Sequence, residues 1–180
     1  MKTEYKWLIG LSVLGALAAL IFTKRKLIIE KVWDLISEVK IYTLHPQVRD
    51  KAREFLNKAE KQNIKLRITS ARRTYAEQND LYAQGRSKGG KIVTNAKAGE
   101  SSHNFGTAID VVPIVNGSAD WNSTDWNKIA TIGKSLGFAW GGDWTSFKDK
   151  PHFEMNFGNT LAQLRGKYNG GQISDGYVLV

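Results

Sequence analysis

An uncharged apolar run near the start of the chain constrains its fold most strongly. The run extends over seventeen residues from Trp7 to Thr23 and is bounded by Lys6 and by Lys24-Arg25-Lys26. A bilayer-spanning helix needs about 20 apolar residues, so this run is at the short end of that range. A surface helix of a globular protein carries a polar face, whereas only Ser12 is polar between the ends of the run. We therefore predict an N-terminal transmembrane helix over residues 1–26, acting as a membrane anchor or signal segment, with a buried core helix as the alternative.

The cleavage and the orientation of this segment stay open. Ala16-Leu17-Ala18 matches a signal-peptidase cleavage pattern, but the apolar run continues to Phe22, which favours an uncleaved anchor. Three basic residues follow the run, while only Lys2 and Lys6 precede it. Taken alone, this distribution of positive charge would leave the rest of the chain in the cytoplasm.

Three further regions follow the apolar run. Residues 27–43 are predicted to form an amphipathic connector helix because apolar side chains repeat there at helical spacing, namely Ile28, Val32, Leu35, Ile36 and Val39. A dimerising or membrane-surface helix is the alternative for this region. Residues 44–168 are predicted to form the compact domain, and residues 169–180 a flexible glycine-rich tail.

Helices and strands are mixed in the compact domain without a regular alternation. Helices are predicted after Pro46 and over residues 74–84, 125–136 and 161–167. Strands are predicted over residues 64–69, 91–94, 107–112, 138–140 and 152–155. This order is typical of the α+β class, with a small mixed or antiparallel sheet and flanking helices, rather than of repeated βαβ units.

The supply of histidine and cysteine limits the metal chemistry. The chain has no cysteine and three histidines, which excludes cysteine-type zinc fingers, iron–sulfur clusters and cysteine nucleophiles. A hydrolytic zinc site therefore needs two histidines and a carboxylate, which leave one position for water. His103 precedes a bend and a strand that carries Asp110, and His152 begins another strand. These three residues are candidate ligands, although from spacing alone ordinary structural histidines are an equal alternative.

A metal hydrolase also needs a group that accepts a proton from water. Asp149 stands three residues before His152, and Pro151 fixes the turn between them. Glu154 is the rival, because it lies two residues after His152 and would share its face of a strand. We favour Asp149 as the base and give Glu154 a supporting role next to the ligands.

Several stretches of residues 44–164 together resemble one known family. They are Thr69-Ser70-Ala71-Arg72-Arg73-Thr74 with Glu77-Gln78, Leu81–Arg86, Val93–Ala96, Ser102-His103 through Asp110, Gly137–Trp144, and Asp149–Glu154. The chain is similar to the zinc D-alanyl-D-alanine peptidases and L-alanyl-D-glutamate endopeptidases, which include peptidoglycan peptidases, phage endolysins and vancomycin-resistance carboxypeptidases. The paired patterns S-x-H-x-x-G-x-A-x-D and D-x-x-H are the specific part of this resemblance.

The resemblance implies a fold of the Hedgehog and D,D-peptidase type and a set of site residues. One zinc ion would be held by His103, Asp110 and His152, with Asp149 as the base. An arginine would stabilise the oxyanion, and Arg73 is the match, because the family usually has an aromatic residue where Arg72 stands. Arg72 is then read as a surface charge.

Four further residues are expected to bind substrate. Gln78 and Ser102 lie within the matching motifs, and Trp140 and Trp144 flank two glycines in a loop that would form a rim of the cleft. A core position for Trp140, with Trp144 merely exposed, is an equal alternative.

The function implied by the resemblance is cleavage of the stem peptide of peptidoglycan, as an L-alanyl-D-glutamate endopeptidase. A D-alanyl-D-alanine carboxypeptidase is the alternative, and a non-catalytic zinc-containing wall-binding module is a further one. The formal net charge of +9 suits an anionic cell envelope, and without a nucleic-acid motif no nucleic-acid partner is expected.

This substrate places the domain outside the cytoplasmic membrane, against the charge rule for orientation. We expect a membrane-anchored protein with an extracytoplasmic domain, because the charge rule is a bias that a domain of this size can override. Secretion after signal cleavage and a phage lysis enzyme are the alternatives.

Overall fold

The structure is a computed structural model that describes the backbone of residues 4–180 and the side chains of residues 19–180. Its helices are α1 (Glu4–Tyr42), α2 (Pro46–Glu60), α3 (Tyr75–Ala83), α4 (Trp126–Ser135) and α5 (Leu161–Asn169). Short 3₁₀ turns occupy Ser102–Phe105 and Gly141–Asp143. The strands are β1 (Leu66–Ser70), β2 (Ala108–Val115), β3 (Ser118–Ala119), β4 (Ala139–Trp140), β5 (His152–Glu154), β6 (Ile173–Ser174) and β7 (Tyr177–Val178).

An antiparallel sheet with flanking helices forms the centre of the domain, so the predicted α+β class agrees with the structure. The strand order is β1-β2-β5-β4, and β3 pairs with β2. Strand β2 lies in the middle and carries Asp110, which is paired with Ser70 of β1 on one side and with His152 of β5 on the other. The register between β1 and β2 shifts between Ile68 and Ser70, which marks a bulge beside Asp110.

The structure contradicts the prediction of an N-terminal transmembrane helix. Within the described part of the chain, no helix is long and apolar enough to cross a membrane. Helix α1 does not end with the apolar run but continues to Tyr42, and over residues 24–40 it carries eight charged side chains. The side chains of residues 7–18, most of the predicted run, lie outside those that the structure describes.

The second half of α1 packs against β1 of the domain. The hydroxyl of Ser37 accepts a hydrogen bond from the backbone N–H of Ile68 at 3.1 Å, and Lys65 forms an ion pair with Glu30 at 2.8 Å. The indole N–H of Trp33 donates to the carbonyl of Gly117 at 3.2 Å. Residues 27–43, predicted as a separate connector, are thus part of one continuous helix, and the domain limits stay a prediction.

The main core lies between one face of the sheet and helices α2 and α4. Phe55 and Phe153 are fully buried and meet edge to face, with ring centroids 4.9 Å apart. A Cβ on Gly133 of α4 would come within 2.6 Å of the Phe153 ring, so the absent side chain allows the helix to approach the sheet. Truncation of such a buried phenylalanine to alanine costs about 3–5 kcal/mol of unfolding free energy.

A smaller core packs the C-terminal residues against the turn that carries His103. Its buried members are Phe105, Leu164 and Val178. Residues 169–180, expected to form a flexible tail, end helix α5 and contain the hairpin β6–β7. The glycine content that predicted looseness instead supplies turns, since Gly171 and Gly176 adopt positive φ angles of 71° and 79°.

His45 joins the start of α2 to this C-terminal hairpin. Its Nδ1 accepts a hydrogen bond from the N–H of Gln47 at 3.3 Å, and its Nε2 lies 3.0 Å from the carbonyl oxygen of Val178. Only the neutral ring protonated at Nε2 satisfies both contacts. Burial lowers the pKa of His45, and the nearby charges of Arg49 and Arg72 act in the same direction.

These contacts of His45 predict that part of the free energy of unfolding depends on pH. Because the folded pKa lies below the ordinary value of 6.5, the contribution of His45 is fully present above that pH and is lost as the pH falls towards the folded pKa. We expect the difference in unfolding free energy between the native chain and His45→Asn to shrink from pH 8 to pH 5. Denaturant titrations of both proteins measure it, and any other histidine cancels in the difference. A difference that is constant over this range contradicts the prediction.

Candidate metal centre and active-site cleft

Three predicted ligands meet where β2, β5 and the turn at Ser102–Phe105 come together. Asp110 and His152 are directly opposite each other on antiparallel strands, so their side chains leave the same face of the sheet. His103 reaches this face from the turn, which ends at Gly106 with a φ of 71°. A Cβ on Gly106 would come within 2.8 Å of the backbone nitrogen of His45, so this position needs glycine for both its angle and its space.

The three side chains converge on one point. Oδ1 of Asp110 lies 3.2 Å from Nε2 of His103 and 3.2 Å from Nδ1 of His152. One ligand atom from each residue fits within 4.8 Å of the others, and the two imidazoles are buried. Two imidazole nitrogens and a carboxylate oxygen are a donor set that fits a transition metal with an open position. These residues could therefore hold a metal ion.

The outer nitrogen of each histidine has its own partner. Nδ1 of His103 lies 2.7 Å from the carbonyl oxygen of Ala71, which accepts its proton and leaves the lone pair of Nε2 towards Asp110. Nε2 of His152 lies 3.2 Å from Oε2 of Glu154, so Nδ1 is the atom directed towards Asp110. Such partners fix the tautomer and the orientation of ligating histidines.

The charges in this cluster stabilise one another. Burial by itself raises the pKa of Asp110, but the two histidines outweigh it and hold that pKa far below its usual range. Burial lowers the pKa of His152, yet the hydrogen bonds and charges of Asp110 and Glu154 raise it to about 9. Because a ligating imidazole must be deprotonated, a metal ion at this site competes with the proton that these two carboxylates favour on His152.

Asp149 lies at the rim of this cluster, held by a tight backbone turn. The N–H of His152 donates to the carbonyl of Asp149 at 3.2 Å, and the N–H of Asp149 donates to the carbonyl of Gly141 at 3.0 Å. A Cβ on Gly141 would come within 2.5 Å of that Asp149 carbonyl, so glycine permits the approach. Burial raises the pKa of the Asp149 carboxyl, and the charge of Asp110 raises it further. A carboxylate with a raised pKa is suited to exchange protons near neutral pH.

Arg73 lies beside the same cluster, and Gln78 holds it in place. The guanidinium donates to Oε1 of Gln78 at 2.7 Å and to the hydroxyl of Ser70 at 3.1 Å. Gln78 is fully buried, and its amide nitrogen donates to the carbonyl of Ala96 at 2.7 Å. The side-chain amide of Gln78, which was predicted to bind substrate, therefore forms its hydrogen bonds with Arg73 and with the 94–96 segment.

A cleft of about 770 Å³ contains these groups. Arg73, His103, Asp110, Asp149 and His152 all line it. One wall is apolar and exposed to solvent, and it consists of Ile92, Val93, Trp144 and Phe147. The Trp144 ring lies against the His152 ring with centroids 5.0 Å apart, which places it next to the cluster as predicted for a rim residue.

The other predicted rim residue, Trp140, is placed in the core. Its side chain is buried, stacks on Phe153 with centroids 6.4 Å apart, and donates from Nε1 to the carbonyl of Lys150 at 2.7 Å. A Cβ on Gly142 would come within 2.2 Å of the Trp140 ring. The two glycines therefore allow the loop to pack closely on the Trp140 indole. This indole stabilises the turn that contains Asp149 through its hydrogen bond to Lys150.

Several side chains contribute to the site in ways that the sequence patterns did not predict. The apolar wall at Ile92 and Val93 falls in a stretch that was predicted as a short strand but forms a loop. Asn156 and Thr107, which contact Ser102, come from separate segments. The placement of Glu154 near the ligands, by contrast, was anticipated from its two-residue spacing to His152.

Comparison with known proteins identifies relatives of the region that forms the cleft. A family model described as D-alanyl-D-alanine carboxypeptidase matches residues 94–155. The peptidoglycan L-alanyl-D-glutamate endopeptidase CwlK of Bacillus subtilis is 44% identical in a 122-residue alignment that covers 62% of this chain and 73% of CwlK. The chain belongs to this peptidase family.

Two further members of the family show how far the likeness extends. An L-alanyl-D-glutamate peptidase of a Listeria phage is 33% identical in a 109-residue alignment that covers 59% of this chain and 36% of the phage protein. The crystal structure of the L-Ala D-Glu endopeptidase ChiX of Serratia marcescens superposes with a TM-score of 0.52 and 26% identity, over 67% of this chain and 86% of ChiX. The recognition made from the sequence motifs is thereby confirmed, and the chain is a peptidase of this family.

Proposed function

We propose that this peptidase is a zinc-dependent endopeptidase that cuts the L-alanyl-D-glutamate bond of peptidoglycan stem peptides. One observation carries the proposal: His103, Asp110 and His152 converge at the base of a cleft that Asp149 and Arg73 also line. Relatives named for this bond support the choice of substrate. The cleft and its exposed apolar wall give a peptide room to lie across the cluster.

The metal in this proposal is one zinc ion on His103, Asp110 and His152. Two imidazoles and one carboxylate are a usual catalytic zinc set, and they leave a coordination position open. Zinc bound there would polarise a peptide carbonyl and lower the pKa of a water molecule. The hydrogen-bond partners of the two imidazoles, the Ala71 carbonyl and Glu154, direct the ligand nitrogens inwards before any metal binds.

Asp149 is the general base and then the general acid. Within the described residues its carboxylate has no hydrogen-bond or ion-pair partner, so its oxygens are available to solvent and substrate. We assign to it the proton that leaves the attacking water, and it then gives that proton to the nitrogen of the departing D-glutamyl amine. Glu154 is a poorer base, because its Oε2 already accepts from His152 and from Ser102.

Arg73 stabilises the negative charge that develops on the carbonyl oxygen. Its guanidinium is fixed by Gln78 and Ser70, so little reorganisation is needed when the charge appears. Arg72 differs in its location, because it donates to the carbonyl of Gly176, lies over the Tyr177 ring on the C-terminal hairpin and is not part of the cleft lining.

Replacement of Arg73 tests this role. We expect Arg73→Ala to lower kcat by about 10²–10³-fold, the usual effect of removing one oxyanion donor. Zinc content, measured by elemental analysis of the purified protein, should stay at the native level, because Arg73 donates no ligand. Arg72→Ala is the matched control and should retain native kcat. A native rate for Arg73→Ala would exclude the proposed role.

The bond that is cut can be determined directly by mass spectrometry of muropeptides. Purified peptidoglycan digested with the zinc-loaded chain should release fragments with a new D-glutamyl amino terminus. The alternative, a D-alanyl-D-alanine carboxypeptidase, has the description of the matching family model in its favour and would release free D-alanine instead. A digest in which neither product appears, although zinc is bound, would contradict peptidase action on this substrate and leave the wall-binding alternative.

Action on peptidoglycan requires the domain to lie outside the cytoplasmic membrane. A cell-wall peptidase and a phage peptidase among the relatives agree with such a location. Export with signal cleavage and release by a phage lysis system are the two routes consistent with that substrate. Protease protection in intact spheroplasts, with a cytoplasmic marker as control, separates an external domain from an internal one.

A further inference from the structure

Four polar side chains form a continuous line that begins at His152, and two of them, Glu154 and Ser102, also line the cleft. Oε2 of Glu154 lies 3.2 Å from Nε2 of His152 and 2.5 Å from the hydroxyl of Ser102. Ser102 in turn contacts Asn156, and Asn156 contacts Thr107. Ser102 and Thr107 are buried, with 2% and 0% of their surface exposed, so water does not satisfy these groups.

The hydrogen-bond directions along this line are determined by its donors. Thr107 donates its hydroxyl proton to Oδ1 of Asn156 at 2.6 Å, and the amide nitrogen of Asn156 donates to Ser102 Oγ at 3.0 Å. Ser102 has a single proton to give, and it gives it to Glu154. The ionised carboxylate of Glu154 can only accept hydrogen bonds. Nε2 of His152 must therefore carry the proton and donate to it. The line therefore places the lone pair of His152 on Nδ1, towards Asp110.

The local fold puts Glu154 in this position. It lies two residues after His152 on β5, so both side chains are on one face of the strand. Its neighbour across the pair with β2 is Ala108, which is fully buried and too small to occupy that space. The carboxylate is thus free of a cross-strand partner and reaches Ser102, one residue before the ligand His103.

We propose that Glu154 is a positioning residue that fixes the tautomer of His152 for metal binding, and that Ser102 acts through Glu154 rather than by touching substrate. The inference rests on the proposed zinc site and deepens it. It moves Ser102 from the predicted substrate contacts to the support of a ligand. It also links the two ligand segments, because Ser102 adjoins His103 and Glu154 lies on the strand of His152.

Zinc affinity of the full-length chain tests the proposal. Competition with a chromogenic chelator at pH 7.5 compares the native chain, Glu154→Ala and Glu154→Gln. Loss of such a supporting partner weakens metal binding by about 10–100-fold, which we expect for Glu154→Ala. Glu154→Gln should recover most of the affinity, because its amide oxygen still accepts from His152. Glu54→Ala, which removes surface ion pairs on α2, is the matched control and should bind zinc as the native chain does.

Ser102→Ala distinguishes the two roles for Ser102 and covers the case in which Glu154→Ala does not fold. A positioning role predicts weaker zinc binding with an unchanged KM at saturating zinc. A substrate contact predicts native zinc affinity with a raised KM, and that outcome overturns the proposal for Ser102. Native zinc affinity in a folded Glu154→Ala overturns the proposal for Glu154. A native chain that binds no zinc would instead refute the proposed metal site itself, and the inference with it.

Discussion

Asp110→Asn and His103→Ala are each expected to abolish zinc binding and to lower peptidase activity by at least ~10³-fold, more than the 10–100-fold cost of losing a supporting partner. Asp110 is the critical position, because one of its oxygens lies 3.2 Å from both imidazoles and its charge is the only negative one among the three ligands. A carboxamide of the same shape offers a neutral oxygen, which is a weak zinc ligand. Elemental analysis after gel filtration and a muropeptide assay measure the two losses together.

The two variants test the ligand set by different chemical changes. Asp110→Asn preserves volume, so a folded protein without metal points to ligation rather than to packing. His103→Ala also removes the partner of the Ala71 carbonyl, so some loss of unfolding free energy is expected from the unpaired group. His45→Asn is the matched control, because it changes the one remaining histidine, outside the cleft lining, and should leave zinc content at one ion per chain. Full metal content in Asp110→Asn would show that the ligand set is wrong.

Local sequence signals account for the α+β class and for most elements of the domain. Pro46 and the apolar spacing after it predicted α2, and the alternation over residues 64–69 predicted β1. The strand predicted over residues 91–94 does not form, because no neighbouring strand pairs with it in the described structure and its apolar residues face the cleft instead. A local pattern of apolar residues thus does not reveal whether they pair in a sheet or line a cleft.

The N-terminal run shows the limit of a local hydrophobicity argument. The sequence predicted a membrane-spanning helix over residues 1–26, which ends with the basic cluster at residues 24–26. The structure instead has one 39-residue helix that passes through this cluster, and its second half packs on β1. Burial of Ser37 and Ile41 against the domain depends on tertiary contacts that a window of consecutive residues does not contain.

For the candidate site, too, the sequence predicted some features and not others. Residue types and spacing made His103, Asp110, His152 and Asp149 candidates, with structural histidines as an equal alternative. The family resemblance then favoured this set and added Arg73. The support of these residues depends on strand register and on contacts between distant segments, such as Gln78 with Ala96 and Ser102 with Glu154. Gln78, Ser102 and Trp140 were therefore expected at the substrate, whereas their side chains hydrogen-bond Arg73, Glu154 and the carbonyl of Lys150 next to Asp149.

Asp149→Asn is expected to lower kcat by about 10²–10⁴-fold, the contribution usual for general acid–base catalysis. The amide has the shape of the carboxylate but takes up no proton, and the backbone contacts of residue 149 with Gly141 and His152 are unaffected. Zinc content and KM should stay close to native, because the side chain contributes no ligand and no substrate anchor. Measurement needs kcat and KM on purified muropeptides together with zinc analysis of the same sample.

Asp143→Asn is the matched control for this variant. It makes the same chemical change on the same loop, at an exposed carboxylate that pairs with Lys134 outside the cleft lining. Native kcat is therefore expected for it, since surface ion pairs contribute little. If Asp149→Asn retained both zinc and a rate within a few fold of native, Glu154 would be the remaining carboxylate beside the cluster. That role would require it to give up its contact with His152, so Glu154→Gln would then lose kcat instead of restoring zinc affinity.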